Sequence, residues 1–104
     1  MQKNMWKARV LPGKLDEYIR RHDEIWPEMV DALKRAEISN YTIWNHGDEL
    51  IGYYECPNLE RSRHIEAESK VMRLWDKSME GIMEMEREAD SGKIKTYRVV
   101  FDLP

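Results

Sequence analysis

The chain has 104 residues, 17 of them basic and 20 acidic, for a formal net charge of −3. That length suits one domain, residues 1–104, able to bury roughly two-thirds of its unfolded surface without disulfide or metal staples. The charge balance excludes a broad nucleic-acid footprint, the single Cys56 excludes an internal disulfide or a paired-cysteine metal motif and fits a cytoplasmic setting, and no apolar run is long enough to span or anchor in a membrane.

Residues 3–10 read as a first strand, with Trp6, Ala8 and Val10 alternating with Lys7 and Arg9. Leu11-Pro12-Gly13 ends it. Residues 13–24 form a first helix, on which Leu15, Tyr18, Ile19 and His22 make an i, i+3, i+4, i+7 stripe. Pro27 lacks an N–H and its ring clashes with the carbonyl of Asp23, so a break is expected near Glu24–Trp26. Proline is favoured at a first helical position, so a second helix runs over 27–37. Residues 40–46 and 49–55 make a hairpin about Gly47-Asp48. Residues 59–87 read as helical, divided near Ser69, with Val71, Leu74, Trp75, Ser78, Ile82 and Met85 at helical spacing. Asp90-Ser91-Gly92 turns the chain. Residues 94–103 are expected as a last strand with Tyr97, Val99, Phe101 and Leu103 on one face.

This order is α+β and matches the ferredoxin-like split βαβ plan: a four-stranded antiparallel sheet with helices on one face. The hairpin is apolar on both sides. Tyr41 and Ile43 point one way, Thr42 and Trp44 the other; Leu50 and Tyr54 oppose Ile51 and Tyr53. A second apolar face needs a cover, and a homodimer packed through the sheet face, a dimeric α/β barrel, supplies one. An aromatic-lined ligand pocket is the alternative.

Of the three histidines, His46 lies beside the hairpin turn and His64 among Arg61, Arg63 and Glu66, both solvated positions. His22 ends an otherwise core-facing stripe, one turn from Tyr18, and is either a structural histidine or an acid/base. There is no HxH, HExxH, P-loop, GxGxxG or GxSxG pattern, hence no support for a metal, dinucleotide, phosphoryl-transfer or serine-hydrolase site. Arg20 and Glu24 are placed to pair at i, i+4. The EAES and EMERE runs read as solvated helix faces. The residues alone support a proton-transfer site on a neutral ligand, or a binding module with His22 structural.

The stretch from Tyr18 to Met29, YIRRHDEIWPEM, resembles the signature YxxRHxxIWPE of the L-rhamnose mutarotase family. Asn40-Tyr41-Thr42-Ile43 resembles its NYxI strand, Met72-Arg73-Leu74-Trp75 with Met79 its RWWxYM helix, and Val100-Phe101-Asp102-Leu103-Pro104 its closing VFxLP. The resemblance implies a dimeric, cofactor-free α/β-barrel isomerase that interconverts the α and β anomers of L-rhamnose. It implies His22 as catalytic acid/base, Tyr18 and Tyr41 as substrate-binding tyrosines, and Trp75 as the second tryptophan of a pair that packs on the sugar. Histidine, with an ordinary pKa near 6.5, can both take the anomeric hydroxyl proton and return one to the ring oxygen.

Two departures bear on the sugar. Leu74 stands where the family has the first tryptophan of its pair, and residues 84–95, EMEREADSGKIK, replace an Asn-Pro-Asp…Ser-Pro segment. L-fucose or another 6-deoxy sugar is therefore an alternative substrate. A dimeric ferredoxin-like oxygenase acting on a small ring, and a non-enzymatic binding module, are the alternatives from other classes.

Overall fold

The computed structural model describes residues 1–104. Eight elements follow in order: β1 (Gln2–Val10), α1 (Leu15–Asp23), α2 (Pro27–Arg35), β2 (Ser39–His46), β3 (Glu49–Cys56), α3 (Leu59–Glu68), α4 (Lys70–Ser78) and β4 (Met83–Met85). The strands form one antiparallel sheet in the order β2-β3-β1-β4. This is the split βαβ arrangement expected from the sequence.

The helices cover one face. Ala8, Val10, Leu50, Tyr54 and Cys56 pack from the sheet against Met29, Ala32, Ala36, Met72, Trp75 and Met79. Leu50 and Cys56 are almost wholly enclosed. The opposite face carries Met5, Ile51, Tyr53 and Trp44, the last 65% exposed.

The break at Pro27 has its expected cause. Trp26 takes the extended backbone that a following proline enforces, and Pro27 opens α2 at its first turn. Ser69 ends α3 and caps α4, its Oγ accepting from the Met72 N–H. Asn58 caps α3 in the same way through the Arg61 N–H.

β2 is not regular. Ser39 pairs with Glu55 but Thr42 with Tyr53, so three steps on β2 match two on β3. The extra residue is a bulge, with Asn40 at φ 50°. Asparagine tolerates that left-handed conformation better than most residues.

Two expectations are corrected. The helical reading of 59–87 fails after Ser78: Gly81 sits at φ 78° and the chain turns at Met79–Gly81. Ile82 and Met85, placed on a helix by their spacing, instead precede and close β4, with the Ile82 carbonyl accepting from Leu11 N–H. The last strand over 94–103 is also absent. The fourth strand is Met83–Met85, and Ile94 makes a single bridge to Arg87. The remaining tail is tied by side chains: Glu86 accepts from Lys95 and Tyr97, and Asp102 pairs with Lys3 at 2.7 Å. Tyr97, Val99, Phe101 and Leu103 therefore share no strand face, and Phe101 is 79% exposed.

Candidate active site

His22 lies in the last turn of α1, just before the chain breaks toward Pro27. Its Nδ1 is 2.9 Å from the backbone carbonyl oxygen of Tyr18. A carbonyl only accepts, so the neutral ring carries its proton on Nδ1 and leaves the Nε2 lone pair free. The imidazole stacks on the Tyr18 ring, centroids 4.2 Å apart, and meets Trp75 edge-on at 5.3 Å. Trp75 in turn meets Trp26 edge-on at 5.1 Å. The pre-proline turn of Trp26 thus braces the tryptophan that braces the histidine.

A cavity of about 190 Å3 opens beside this stack. Tyr18, His22, Asp23 and Asn45 supply its polar groups, and Leu15, Ile19, Ile43 and Leu50 its apolar wall. Asn45 donates twice from Nδ2, to the carbonyls of Gly47 and Glu49, which leaves Oδ1 as an acceptor. A larger groove of about 460 Å3 lies beyond Leu15, against Pro12-Gly13 and Gly47-Asp48. It contains no histidine and no aromatic ring, so the chemistry belongs to the smaller space.

Tyr41 and Trp75 do not line that cavity. Trp75 is buried behind His22. Tyr41 follows Asn45 and Ile43 along the helix-facing side of β2 and carries the floor onward. Its ring lies 5.2 Å from Tyr54, and its hydroxyl accepts from Trp6 Nε1 at 3.0 Å. The Tyr41 O–H proton is therefore available to a ligand. Trp6 reaches this position across Gly52, where a Cβ would fall 1.9 Å from the indole. Burial raises the pKa of both phenols, Tyr18 to about 12, and the proximity of Tyr18 adds to the shift on Tyr41. Both remain neutral donors at physiological pH.

Sequence reasoning brought Tyr18 and His22 together correctly, but it missed Asp23, Asn45, Trp6 and Gly52. The glycine had a signal, since an isolated glycine inside a strand marks close approach of another group. Leu74, expected to shape the pocket, is half exposed on α4. The EAES run is not a solvated face throughout: Glu66 is half buried and its carboxyl is raised above the ordinary range by burial. The EMERE run is not a helix but β4 and the bend after it. His46 and His64 are exposed, as expected, and His64 pairs with Glu68.

Paired donors, an unprotonated ring nitrogen and carbonyl-type acceptors around a small cavity suit proton transfer on a neutral polyhydroxyl ligand. The L-rhamnose mutarotase family profile matches residues 3–103. An L-rhamnose mutarotase from Burkholderia orbicola is 42% identical over 80% of this chain and 81% of its own length. One from Acidiphilium cryptum is 39% identical over the full length of both chains. The crystal structure of an L-rhamnose mutarotase from Formosa agariphila covers both chains fully with a TM-score of 0.78 at 21% identity, which is a likeness of fold. The chain belongs to the L-rhamnose mutarotase family, a family of carbohydrate isomerases.

Proposed function

We propose that this enzyme interconverts the α and β anomers of L-rhamnose, with His22 as the proton carrier. The observation that carries the reading is the bond from His22 Nδ1–H to the Tyr18 carbonyl, which leaves Nε2 free to act. Nε2 takes the proton of the anomeric hydroxyl as the bond from C1 to the ring oxygen breaks. The ring oxygen takes up a proton, and the open aldehyde forms. Rotation about the bond to C1 exposes its other face. Closure reverses the steps: the former ring hydroxyl attacks C1 and gives up its proton, and the new anomeric oxygen gains one. Tyr18 and Tyr41 donate to sugar oxygens, and the aromatic and aliphatic walls cover the C–H faces and the methyl group of a 6-deoxy sugar.

Saturation-transfer NMR on L-rhamnose and L-fucose measures α/β exchange with and without protein. Faster exchange on L-rhamnose is the expected result, faster exchange on L-fucose alone moves the substrate, and neither sugar responding sinks the reading.

The working form in this reading is a homodimer joined through the open sheet face. Trp44, Met5, Ile51 and Tyr53, with the tail residues Val100, Phe101 and Leu103, form apolar surface that water should not face. Size-exclusion chromatography with light scattering should give twice the mass of 12.5 kDa. A monomer mass at micromolar concentration would remove the dimer. A reducing, cytoplasmic setting fits the free, buried Cys56, and no helix is long and apolar enough to cross a membrane.

A further inference from the structure

One polar side chain interrupts the sheet wall of the cavity beside His22. Asn45 lies on the helix-facing side of β2, just before the hairpin turn and in register with the enclosed Leu50. It shares the cavity of about 190 Å3 with Tyr18 and His22, and its neighbours on that wall are the aliphatic Ile43 and Leu50. Its amide is held fast. Nδ2 donates to the Gly47 carbonyl at 2.9 Å and to the Glu49 carbonyl at 3.0 Å. A carbonyl only accepts, so the nitrogen has to face both and the amide cannot be turned over. The Asp48 carbonyl between them accepts from the Val10 N–H at 2.8 Å, which ties the same turn to the end of β1. Clamping the turn uses both N–H donors of Asn45. It leaves Oδ1, on the other arm of the planar amide, with no partner in the chain and a place on the wall that faces the acid/base.

We propose that Asn45 is a specificity-determining residue for the sugar: Oδ1 accepts a hydrogen bond from a ring hydroxyl other than the anomeric one. This rests on the mutarotase reading and deepens it. The two walls then select different groups. On α1, His22 Nε2 takes the anomeric O–H and Tyr18 donates to an oxygen; on β2, Asn45 requires a second O–H. The cavity is small enough for one six-membered ring to meet both walls. The substrate class is a reducing sugar with a free hydroxyl on its β2 side, in preference to analogues in which that hydroxyl is missing or methylated. The amide is oriented before the ligand arrives, so forming the bond sacrifices no side-chain freedom. The hydroxyl it holds takes no part in ring opening, so the bond is felt in KM rather than in kcat.

Saturation-transfer NMR on the full chain tests this with Asn45→Ala and Asn45→Asp, on L-rhamnose and on its singly deoxygenated and singly O-methylated analogues. Asn45→Ala removes the acceptor and the clamp together, whereas Asn45→Asp keeps an acceptor and removes only the clamp. The wild-type protein should prefer L-rhamnose over one deoxygenated analogue by about three- to tenfold in KM, the worth of a neutral hydrogen bond. That preference should vanish in Asn45→Ala and persist in Asn45→Asp, with kcat nearly constant, although both variants lose the turn clamp and melt lower. A preference unchanged in Asn45→Ala for every analogue overturns the proposal. So does an equal rise in KM for all sugars in both variants, which marks Asn45 as a turn clamp alone. In either case exchange persists and the mutarotase reading stands. Should both variants unfold, the wild-type protein decides: the Asn45 13Cγ resonance should move downfield as L-rhamnose is added, and a resonance that stays put at saturation overturns the proposal. If the wild-type protein accelerates exchange of no sugar, the mutarotase reading fails and this proposal with it.

Discussion

Tyr18 holds His22 twice: its backbone carbonyl accepts from Nδ1 at 2.9 Å, and its ring stacks on the imidazole at 4.2 Å. One residue therefore fixes both the tautomer and the plane of the ring. The carbonyl contact is indifferent to the side chain at position 18, whereas the stack is not. Replacing Tyr18 should loosen the ring without changing which nitrogen is protonated.

His22→Ala should lower the enzyme-dependent exchange rate by about 10²–10⁴-fold, the span a positioned acid/base contributes. His22→Gln should do the same, since an amide cannot carry the proton. Both should remain folded by far-UV circular dichroism. A variant that keeps full exchange would remove His22 from the mechanism while leaving the activity.

Tyr41 depends on a chain that begins at Gly52. Tyr41→Phe keeps the ring and loses one donor, and should reduce kcat/KM by about three- to tenfold, the worth of a neutral hydrogen bond. Gly52→Ala puts a methyl into the Trp6 indole, and Trp6 must move off its bond to Tyr41. It should reproduce the Tyr41→Phe loss and lower stability by about 1–3 kcal/mol, as overpacking does. Equal kcat/KM for Gly52→Ala and wild type would show that Trp6 does not position Tyr41.

Alkaline stability follows from the phenols. Tyr18 and Tyr54 are each pushed by burial to about 12, from an ordinary value of 10. The folded chain then holds protons that the unfolded chain releases. Stability is untouched below about pH 10 and falls as pH rises from there through 12, by on the order of 2 kcal/mol for each phenol. Denaturant midpoints taken between pH 9 and 11.5 should show the decline, and Tyr18→Phe should make it shallower. A flat profile would contradict the burial of these hydroxyls.

Ser62 is a structural control, buried on α3 and outside the cavity beside His22. Its hydroxyl donates to the Ala36 carbonyl at 2.7 Å where neither group meets water. Ser62→Ala leaves a buried acceptor unsatisfied and should cost about 1–3 kcal/mol, a drop of roughly 5 °C or more in melting temperature. Its KM should stay at the wild-type value, since Ser62 lines no part of the cavity beside His22.

The sequence carried the β1–α1–α2–β2–β3 half of the fold through its punctuation: Leu11-Pro12-Gly13, Pro27 and Gly47-Asp48 each mark an element boundary for a local steric reason. The second half was less legible. Ile82 and Met85 continue the spacing of α4, but Gly81 turns the chain, and periodicity does not register one left-handed residue. Tyr97, Val99, Phe101 and Leu103 alternate as a strand would. Alternation says which face a strand would bury, not whether an edge is free to receive it, and only Met83–Met85 pairs beside β1. In the site, Tyr18 and His22 are joined by one helical turn, a distance any helix guarantees. Trp6, Gly52 and Tyr41 meet only through strand register, and Glu66 looked solvated because its sequence neighbours are. Long-range juxtaposition is what a single pass along the chain does not contain.

The hairpin turn, not the bulge beside it, decides on which side of the sheet Tyr41 falls. From His46 and Glu49 back to Thr42 and Tyr53 the two strands pair one residue to one, so the count from the turn sets Tyr41, with Asn45 and Ile43, on the helix-facing side. The extra residue at Asn40 lies beyond that count and moves only Ser39, which belongs with Glu55 on the open side. Loss of a codon at the bulge would leave Tyr41 where it is, whereas loss of one between Thr42 and the turn would hand its hydroxyl to the other face. In comparing members of the family, the spacing from this tyrosine to the hairpin turn therefore informs on the site as much as the presence of the tyrosine does.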